Sequence, residues 1–181
     1  MDFISEIVPA SNNQHRWILT TTYYFTKWVE EILVNNATNT VVIKFIDENI
    51  LSRFGFPRQI VTDNAQVLNT IKMIELCHKY QITLHHSTPY YPQGNGLAEP
   101  SHKNLIKVIK KVIAVHKRSW DSDLKYAVWE NMVSPKISIG KSPFQLVHGM
   151  EVIFPTQLAF LDMNFLQESY VEAYDFSRRI N

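Results

Sequence analysis

The 181-residue sequence predicts an α/β domain in which a mixed sheet is covered by helices. Three observations lead there. Trp17 to Tyr24 is a run of β-branched and aromatic residues of the kind that fills a central strand. Between Thr38 and Phe54 the apolar residues Val41, Val42, Phe45, Ile46, Ile50, Leu51 and Phe54 recur at helical spacing. After a proline- and glycine-rich loop, a long amphipathic stretch begins at Leu97, and the whole chain reads as β-β-β-α-β-α-β-α-α.

Phe3 to Val8 reads as a short opening strand, Trp17–Tyr24 as the second and Trp28–Leu33 as the third. The helix over Thr38–Phe54 is stopped by Gly55-Phe56-Pro57. Ile60-Val61-Thr62 is a short buried strand that delivers Asp63 at its C-terminal end. A helix over Thr70–Tyr80 and a strand over Ile82–His85 follow. Ser87 to Gly96 holds two prolines and two glycines in ten residues, which excludes both a helix and a central strand. Helical pattern then runs from Leu97 to about Arg118, through Asp121–Val133 and again at Pro143–Val147. Leu158–Arg179 is a loosely amphipathic helical tail, so the chain divides into a domain over 1–155 and a tail over 156–181.

Composition removes several classes of function. A hydrophobic fraction of 45% with 19% charged residues is that of a folded domain, not of a disordered or collagenous chain. The single cysteine, Cys77, cannot close an internal disulfide, which fits an intracellular setting, nuclear or cytoplasmic. No run of about 18 apolar residues is present to span a bilayer, and Met1-Asp2-Phe3-Ile4-Ser5-Glu6 lacks the basic start of a secretory signal. A net charge of +1 names no partner by itself, so the distribution of charge has to be read instead.

That distribution is uneven along the helix from Leu97. At 100° per residue, Lys103, Lys107, Lys110, Lys111, Lys117 and Arg118 share an arc of about 120°, while Leu105, Ile106, Val108, Ile109, Val112 and Ile113 fill the opposite side. No acid lies between Pro100 and Trp120, whereas a merely solvated helix usually intersperses Glu to form i,i+4 pairs. Glu99 falls on the same basic stripe at the helix N-terminal turn. It is either a favourable first-turn acid or a metal ligand at the head of a phosphate track. His85-His86 would suggest a metal pair, but neighbours on a strand point to opposite faces, which favours structural roles. Trp120, Trp129, Phe144 and Phe154 read as core or interface anchors.

Asp63 and Glu99 are separated by 35 residues, but 17 acids in 181 positions means that an arbitrary offset meets one about one time in ten. The flanking residues decide. Val61-Thr62-Asp63-Asn64, followed by Thr88-Pro89-Tyr90-Tyr91-Pro92-Gln93-Gly94-Asn95-Gly96-Leu97-Ala98-Glu99, resembles the catalytic core of retroviral and long-terminal-repeat retrotransposon integrases. With Asp2, the chain matches that family's Asp, Asp, 35 residues, Glu pattern. Trp17-Ile18-Leu19, Tyr24 to Glu30 and Ser142 to Gly149 look more narrowly like plant retrotransposon integrases of the Ty3/gypsy group.

The resemblance runs from residue 2 to about 155 and implies a ribonuclease H-like fold, a five-stranded mixed sheet with helices on both faces. It implies catalytic carboxylates at Asp2, Asp63 and Glu99 holding two Mg²⁺ or Mn²⁺ ions, hard cations that take oxygen ligands. The implied chemistry is trimming of a donor DNA end and transfer of its 3′-hydroxyl into target DNA. Asn64, Tyr91, Gln93, Asn95, Lys103, Lys107 and Lys110 are the implied nucleic-acid contacts. A homodimer or higher homo-oligomer is also implied. The chain departs from the family's usual residues at Tyr23, Ala65, Pro100 and His102. Those departures predict a crowded first carboxylate and a Glu99 displaced by the following proline, and they point to the alternative of a weak or inactive domesticated module that binds nucleic acid or protein.

Overall fold

Local chemistry marks most element boundaries. The hydroxyls of Thr38, Thr70 and Ser142 each accept the backbone N–H three residues on, so three helices begin on side-chain caps. Pro143 occupies the first turn of the last of these, and Gly149, at φ 74°, ends it in the left-handed region. The computed structural model describes residues 1–4, 6–86 and 99–153; the side chains of residues 99–105 lie outside the description. The proposed tail over 156–181 and Phe154 therefore lie outside the described residues, as does the loop from Ser87 to Gly96.

Strands β1 (Asp2–Ile4), β2 (Trp17–Thr22) and β3 (Val29–Val34) form an antiparallel sheet. Helix α1 (Asn39–Phe45) runs through a π-helical segment (Ile46–Leu51) into the short α2 (Ser52–Phe54). Strand β4 (Gln59–Thr62), helix α3 (Ile71–Lys79) and strand β5 (Thr83–His86) follow, with β4 and β5 parallel. The rest is helical: α4 (Glu99–His116), α5 (Trp120–Val133) and α6 (Pro143–His148). Among the described residues there are five strands, but their ladders divide into a three-stranded and a two-stranded sheet rather than the one continuous five-stranded sheet expected. The reason lies in β1, which is only three residues long and gives all three of its described pairings to β2 and none to β4. What bridges the two sheets is the amine of Met1, which donates to the carbonyl of Val61 at 2.6 Å.

Register sorts the side chains onto two faces, because residues opposite one another in paired strands point the same way. Ile4, Ile18 and Leu33 form one such row. They bury against Ile109 of α4 and Trp120, Leu124 and Val128 of α5. Phe3, Leu19 and Ile32 form the alternate row. They pack with Val42, Phe45, Ile46, Met73 and Cys77 from the other helices and with Ile60 and Ile82 of the parallel pair. Helices thus cover both faces, as predicted.

The π-helical segment was not foreseen, and its effect on packing is direct. In an α-helix Phe45 and Ile50, like Ile46 and Leu51, are five residues apart and differ by about 140° in direction, while Ile46 and Ile50 already share a face. The wider turn, in which the Ser52 N–H reaches the Asp47 carbonyl, keeps all four side chains in the same core.

A polar node ties the loop after β1 to α5. The Asp121 carboxylate is only 4% exposed. One of its oxygens accepts from Asn13 Nδ2 at 2.9 Å and lies 3.1 Å from His15 Nδ1; the other accepts the Ser122 N–H at 3.1 Å. Burial alone would push this carboxyl up, but the donors from Ser11, Asn13, His15 and Ser122 together hold it below the usual carboxylate range. A depressed native value means that the ionised node adds stability above the ordinary carboxylate range and loses it as pH falls through that range. Asp121→Ala is expected to destabilise the domain by about 1 kcal/mol in denaturant titration at pH 7, because several donors, exposed and partly buried, lose a shared acceptor. The gap between parent and variant should narrow below about pH 4; a gap independent of pH would contradict this account of the node.

Candidate functional site

Two carboxyls meet where the antiparallel and parallel strands adjoin. Asp63 follows the last residue of β4, and its Oδ1 accepts the Ala65 N–H at 3.1 Å, an Asx turn that fixes the direction of the carboxyl. The same turn is braced by the Leu68 and Asn69 N–H groups, both donating to the Ala65 carbonyl. Ala65, where the resemblance leads one to expect glycine, is therefore accommodated in a hydrogen-bonded turn. Asp2 lies in β1 opposite Thr20, whose hydroxyl donates to the Asp2 carbonyl at 3.4 Å. Its side chain reaches hydrogen-bonding contact with that of Asp63.

The electrostatics follow from this approach. Burial raises the Asp63 carboxyl above the usual range; the Ala65 N–H opposes the rise, the neighbouring Asp2 adds to it and the chain's amino end counters it. The Met1 amine is lowered by burial, against the pull of both Asp2 and Asp63. Two acids sharing so small a space with one amine are short of positive charge, and an oxygen-lined pair in that condition suits a hard divalent cation. Among the described residues no group of three or more His, Cys, Asp or Glu side chains converges, and Asp2 with Asp63 is as far as the described site extends.

Glu99 is the first residue of α4, and the helix continues through Pro100 without a break. A proline in the first turn forfeits no intrahelical bond, since the N–H groups there have no partner within the helix. Pro100 thus does not interrupt the helix; the side chain of Glu99 lies outside the described residues, so its approach to Asp2 and Asp63 is not on view. Asn64 is exposed beside Asp63, and Lys107, Lys110 and Lys111 are exposed on α4, while Ile109 is fully buried on the opposite side; Lys117 and Arg118, expected on the same helix, are exposed but follow its end, where Lys117 turns to φ 43°. The basic stripe predicted from periodicity is therefore a surface feature from Lys107 onward. Tyr91, Gln93, Asn95 and the side chains of Lys103 and His102 lie outside the described residues.

Tyr23 was expected to crowd the first carboxylate, and it does not sit there. It follows the end of β2, three residues beyond Thr20, and packs its ring on Phe54 at 4.8 Å. Its hydroxyl is buried with no hydrogen-bond partner among the described residues, and burial, with Glu30 nearby, pushes its ionisation well above the normal tyrosine range. Trp120 is wholly core, whereas Trp129 is partly exposed and packs on Phe144 at 5.5 Å. His85 and His86 point apart as reasoned, and His86 Nδ1 lies 3.0 Å from the hydroxyl of Thr62, beside Asp63.

One group near the site went unnoticed in the sequence. Glu31 stands opposite Thr20, so Asp2, Thr20 and Glu31 form one row on the face that α4 and α5 cover. Burial, helped by the charge of Glu30 and opposed by Arg53 and by its own backbone hydrogen bond, raises the Glu31 carboxyl to about 7. No local signal marks it: a glutamate in a strand looks solvent-facing until the register is known. Since the folded chain holds this proton to higher pH than the unfolded chain, Glu31 weakens the fold progressively as pH rises from the ordinary glutamate value towards 7. Glu31→Gln is expected to leave stability at pH 5 little changed and to raise it at pH 8 by about 2–4 kcal/mol. Thermal unfolding at the two pH values measures the difference, and equal effects at both would refute the assignment.

Comparison with known proteins agrees with this geometry. Residues 1–92, just over half of the chain, match the family model described as "Integrase core domain". The chain is 28% identical over 151 residues to the Gag-Pol polyprotein of Avian reticuloendotheliosis virus, covering 83% of the chain and 13% of that polyprotein. It is 22% identical over 148 residues to the Transposon Tf2-3 polyprotein of Schizosaccharomyces pombe (strain 972 / ATCC 24843), covering 82% of the chain and 11% of that polyprotein. The chain thus spans a small part of the length of these relatives. Among solved structures, it resembles a chain of the simian T-cell lymphotropic virus intasome in complex with PP2A regulatory subunit B56 gamma, with a TM-score of 0.64, 20% identity and coverage of 84% of this chain and 56% of that one. It also resembles the catalytic core domain of BIV integrase, with a TM-score of 0.59, 18% identity and coverage of 82% and 93%. These likenesses give the ribonuclease H-like α/β fold. With carboxyls converging where β1 approaches β4 and a family model covering that junction, the chain belongs to the integrase core domain family, as its retroviral and retrotransposon relatives do.

Proposed function

We propose that this chain is the core of an integrase-type polynucleotidyl transferase that trims a donor DNA end and joins it to target DNA. The observation that carries the reading is the contact between the Asp2 and Asp63 carboxyls in a chain of this family. Asp2, Asp63 and Glu99 are the proposed ligands of two Mg²⁺ or Mn²⁺ ions, which when bound would stabilise the attacking and leaving oxygens of the displacement. The chain's own residues position the reactants. The Ala65 N–H holds the Asp63 carboxyl in one orientation, and Lys103, Lys107 and Lys110 grip donor-strand phosphates along α4. Asn64, Tyr91, Gln93 and Asn95 seat the end of the donor strand.

In the joining step the donor 3′-oxygen forms a bond to a target phosphorus as that phosphorus loses its bridging 3′-oxygen. One phosphodiester replaces another, the proton of the attacking hydroxyl ends on the leaving oxygen by way of solvent, and no external energy source is required. Assembly as a homodimer or higher homo-oligomer and an intracellular location, nuclear or cytoplasmic, belong to the same proposal. No helix among the described residues is long and apolar enough to cross a membrane.

Calorimetry with Mn²⁺ on the parent chain and on Asp63→Asn tests the site. The parent is expected to bind and the variant not, with strand transfer on oligonucleotide substrates reduced at least about 100-fold. Lys107→Ala and Lys110→Ala should each reduce the slope of log affinity against log salt for duplex DNA by about 0.9. A parent chain that binds DNA but neither metal would replace the enzyme with a nucleic-acid-binding module.

A further inference from the structure

Three ring pairs run in succession along a part of the surface that the chemistry above does not use. Tyr24 and Phe25, in the turn between β2 and β3, meet edge to face at 5.4 Å. Tyr23, the preceding residue, packs on Phe54 at 4.8 Å. Phe54 leads through Gly55, whose φ of 79° favours glycine, to Phe56, which stacks on Tyr80 at 4.9 Å and 24°. The strip thus links the hairpin turn, the end of the first helical segment and the end of α3.

Each pair carries a cation over one of its rings. Lys27 Nζ lies 4.7 Å from the Tyr24 ring, the Arg53 guanidinium 5.3 Å from Phe54, and Lys79 Nζ 4.9 Å from Tyr80. Phe25 is 82% exposed and Phe56 64%, so ring faces remain open to a partner. Lys27 is itself buried and so serves to hold the Tyr24 ring, while Arg53, Arg58 and Lys79 reach solvent.

Among the described ion pairs Arg53 is taken by an acid, whereas Arg58 and Lys79 have none. Glu30 is buried, accepting from Trp28 Nε1 at 2.7 Å and from Arg53 at 2.5 Å. Glu48 is paired with Lys44 at 3.7 Å. Asp47 lies with Glu48 in the shallow concavity beside Phe56 and Tyr80, and marks where the strip ends. A partner protein's apolar surface would be met by rings alone. Rings alternating with cations match a ligand in which flat apolar faces alternate with negative charge, and an unpaired nucleic acid strand is built that way.

We infer that this strip of rings and cations is a platform for an unpaired stretch of nucleic acid, on which bases stack at Phe25 and Phe56 while Arg58 and Lys79 meet phosphates. It uses neither carboxylate of the pair nor any residue of α4, and it stands whether or not the chain transfers DNA strands. The stacking would be tolerant of sequence, since every base offers a face.

The test is fluorescence anisotropy of a labelled oligothymidylate about 20 nucleotides long, long enough to exceed the usual site size, in EDTA. Phe25→Ala/Phe56→Ala removes two exposed rings, and circular dichroism checks that it is folded. It should bind at least about tenfold more weakly than the parent. Ile137→Ala/Met150→Ala, which removes two exposed apolar side chains outside the strip, should bind the oligomer within about twofold of the parent. Unchanged binding in a folded Phe25→Ala/Phe56→Ala variant overturns the inference, as does an equal loss in the Ile137→Ala/Met150→Ala variant. A ring variant that keeps oligothymidylate binding but loses affinity for an arginine-rich peptide would assign the strip to a protein partner instead.

Discussion

Asp2 and Asp63 belong to different sheets, and like charges brought this close repel unless something else holds them. What holds them is apolar packing directly behind the pair. Phe3, next to Asp2, and Ile60, three residues before Asp63, lie in the same core with Leu19 and Ile82, so pulling the carboxyls apart would mean opening that core. Burial in that packing, with Asp2 adding to it, raises the Asp63 carboxyl, which favours a proton where no cation is supplied. Stability of the core and demand for positive charge at the site are therefore two consequences of one packing arrangement.

The alternation of side chains along the strands carries this further. Because Phe3 faces α1 and α3, Asp2 must face the side covered by α4 and α5. That side is covered by α4 through Ile109, and Lys107, Lys110 and Lys111 of the same helix are exposed. Burial of Ile109 on the sheet fixes the rotation of α4, and the basic stripe is exposed as a result of that burial. The same row that sets Asp2 also carries Glu31 beneath the helices, where its carboxyl titrates near neutrality.

How much of this could be read in the sequence depended on whether a feature is local. Thr38, Thr70, Ser142 and Gly149 act within one helical turn, and the element boundaries they set agree with the structure to within about two residues. The basic stripe is likewise local, since helical periodicity alone sorts Lys107 and Lys110 from Ile109. The π-helical turn escaped because apolar spacing around Ile46 to Leu51 fits a helix of either kind, and only the common core of Phe45, Ile46, Ile50 and Leu51 reveals which one formed. The division of the sheet, the role of Asp121 and the environment of Glu31 all depend on partners far away in sequence. Asp121 meets Asn13 and His15 more than a hundred positions away, a pairing that no window along the chain contains. Asp63 was legible through its flanking motif, but its contact with Asp2 is a matter of tertiary packing.

Charge placement gives the domain its polarity despite a net charge of only +1. Six basic residues without an intervening acid are concentrated on or just beyond α4, so the rest of the chain must be net acidic. Three of those acids are committed locally: Asp121 to its donors, Glu30 to Arg53 and Trp28, and Glu48 to Lys44. Neutralising acids therefore sit beside their own partners instead of along α4, and a screening length of about 8–10 Å at moderate salt keeps them from cancelling the stripe at a distance. A polyanion approaching α4 therefore meets the exposed Lys107, Lys110 and Lys111 before it meets any of these committed acids.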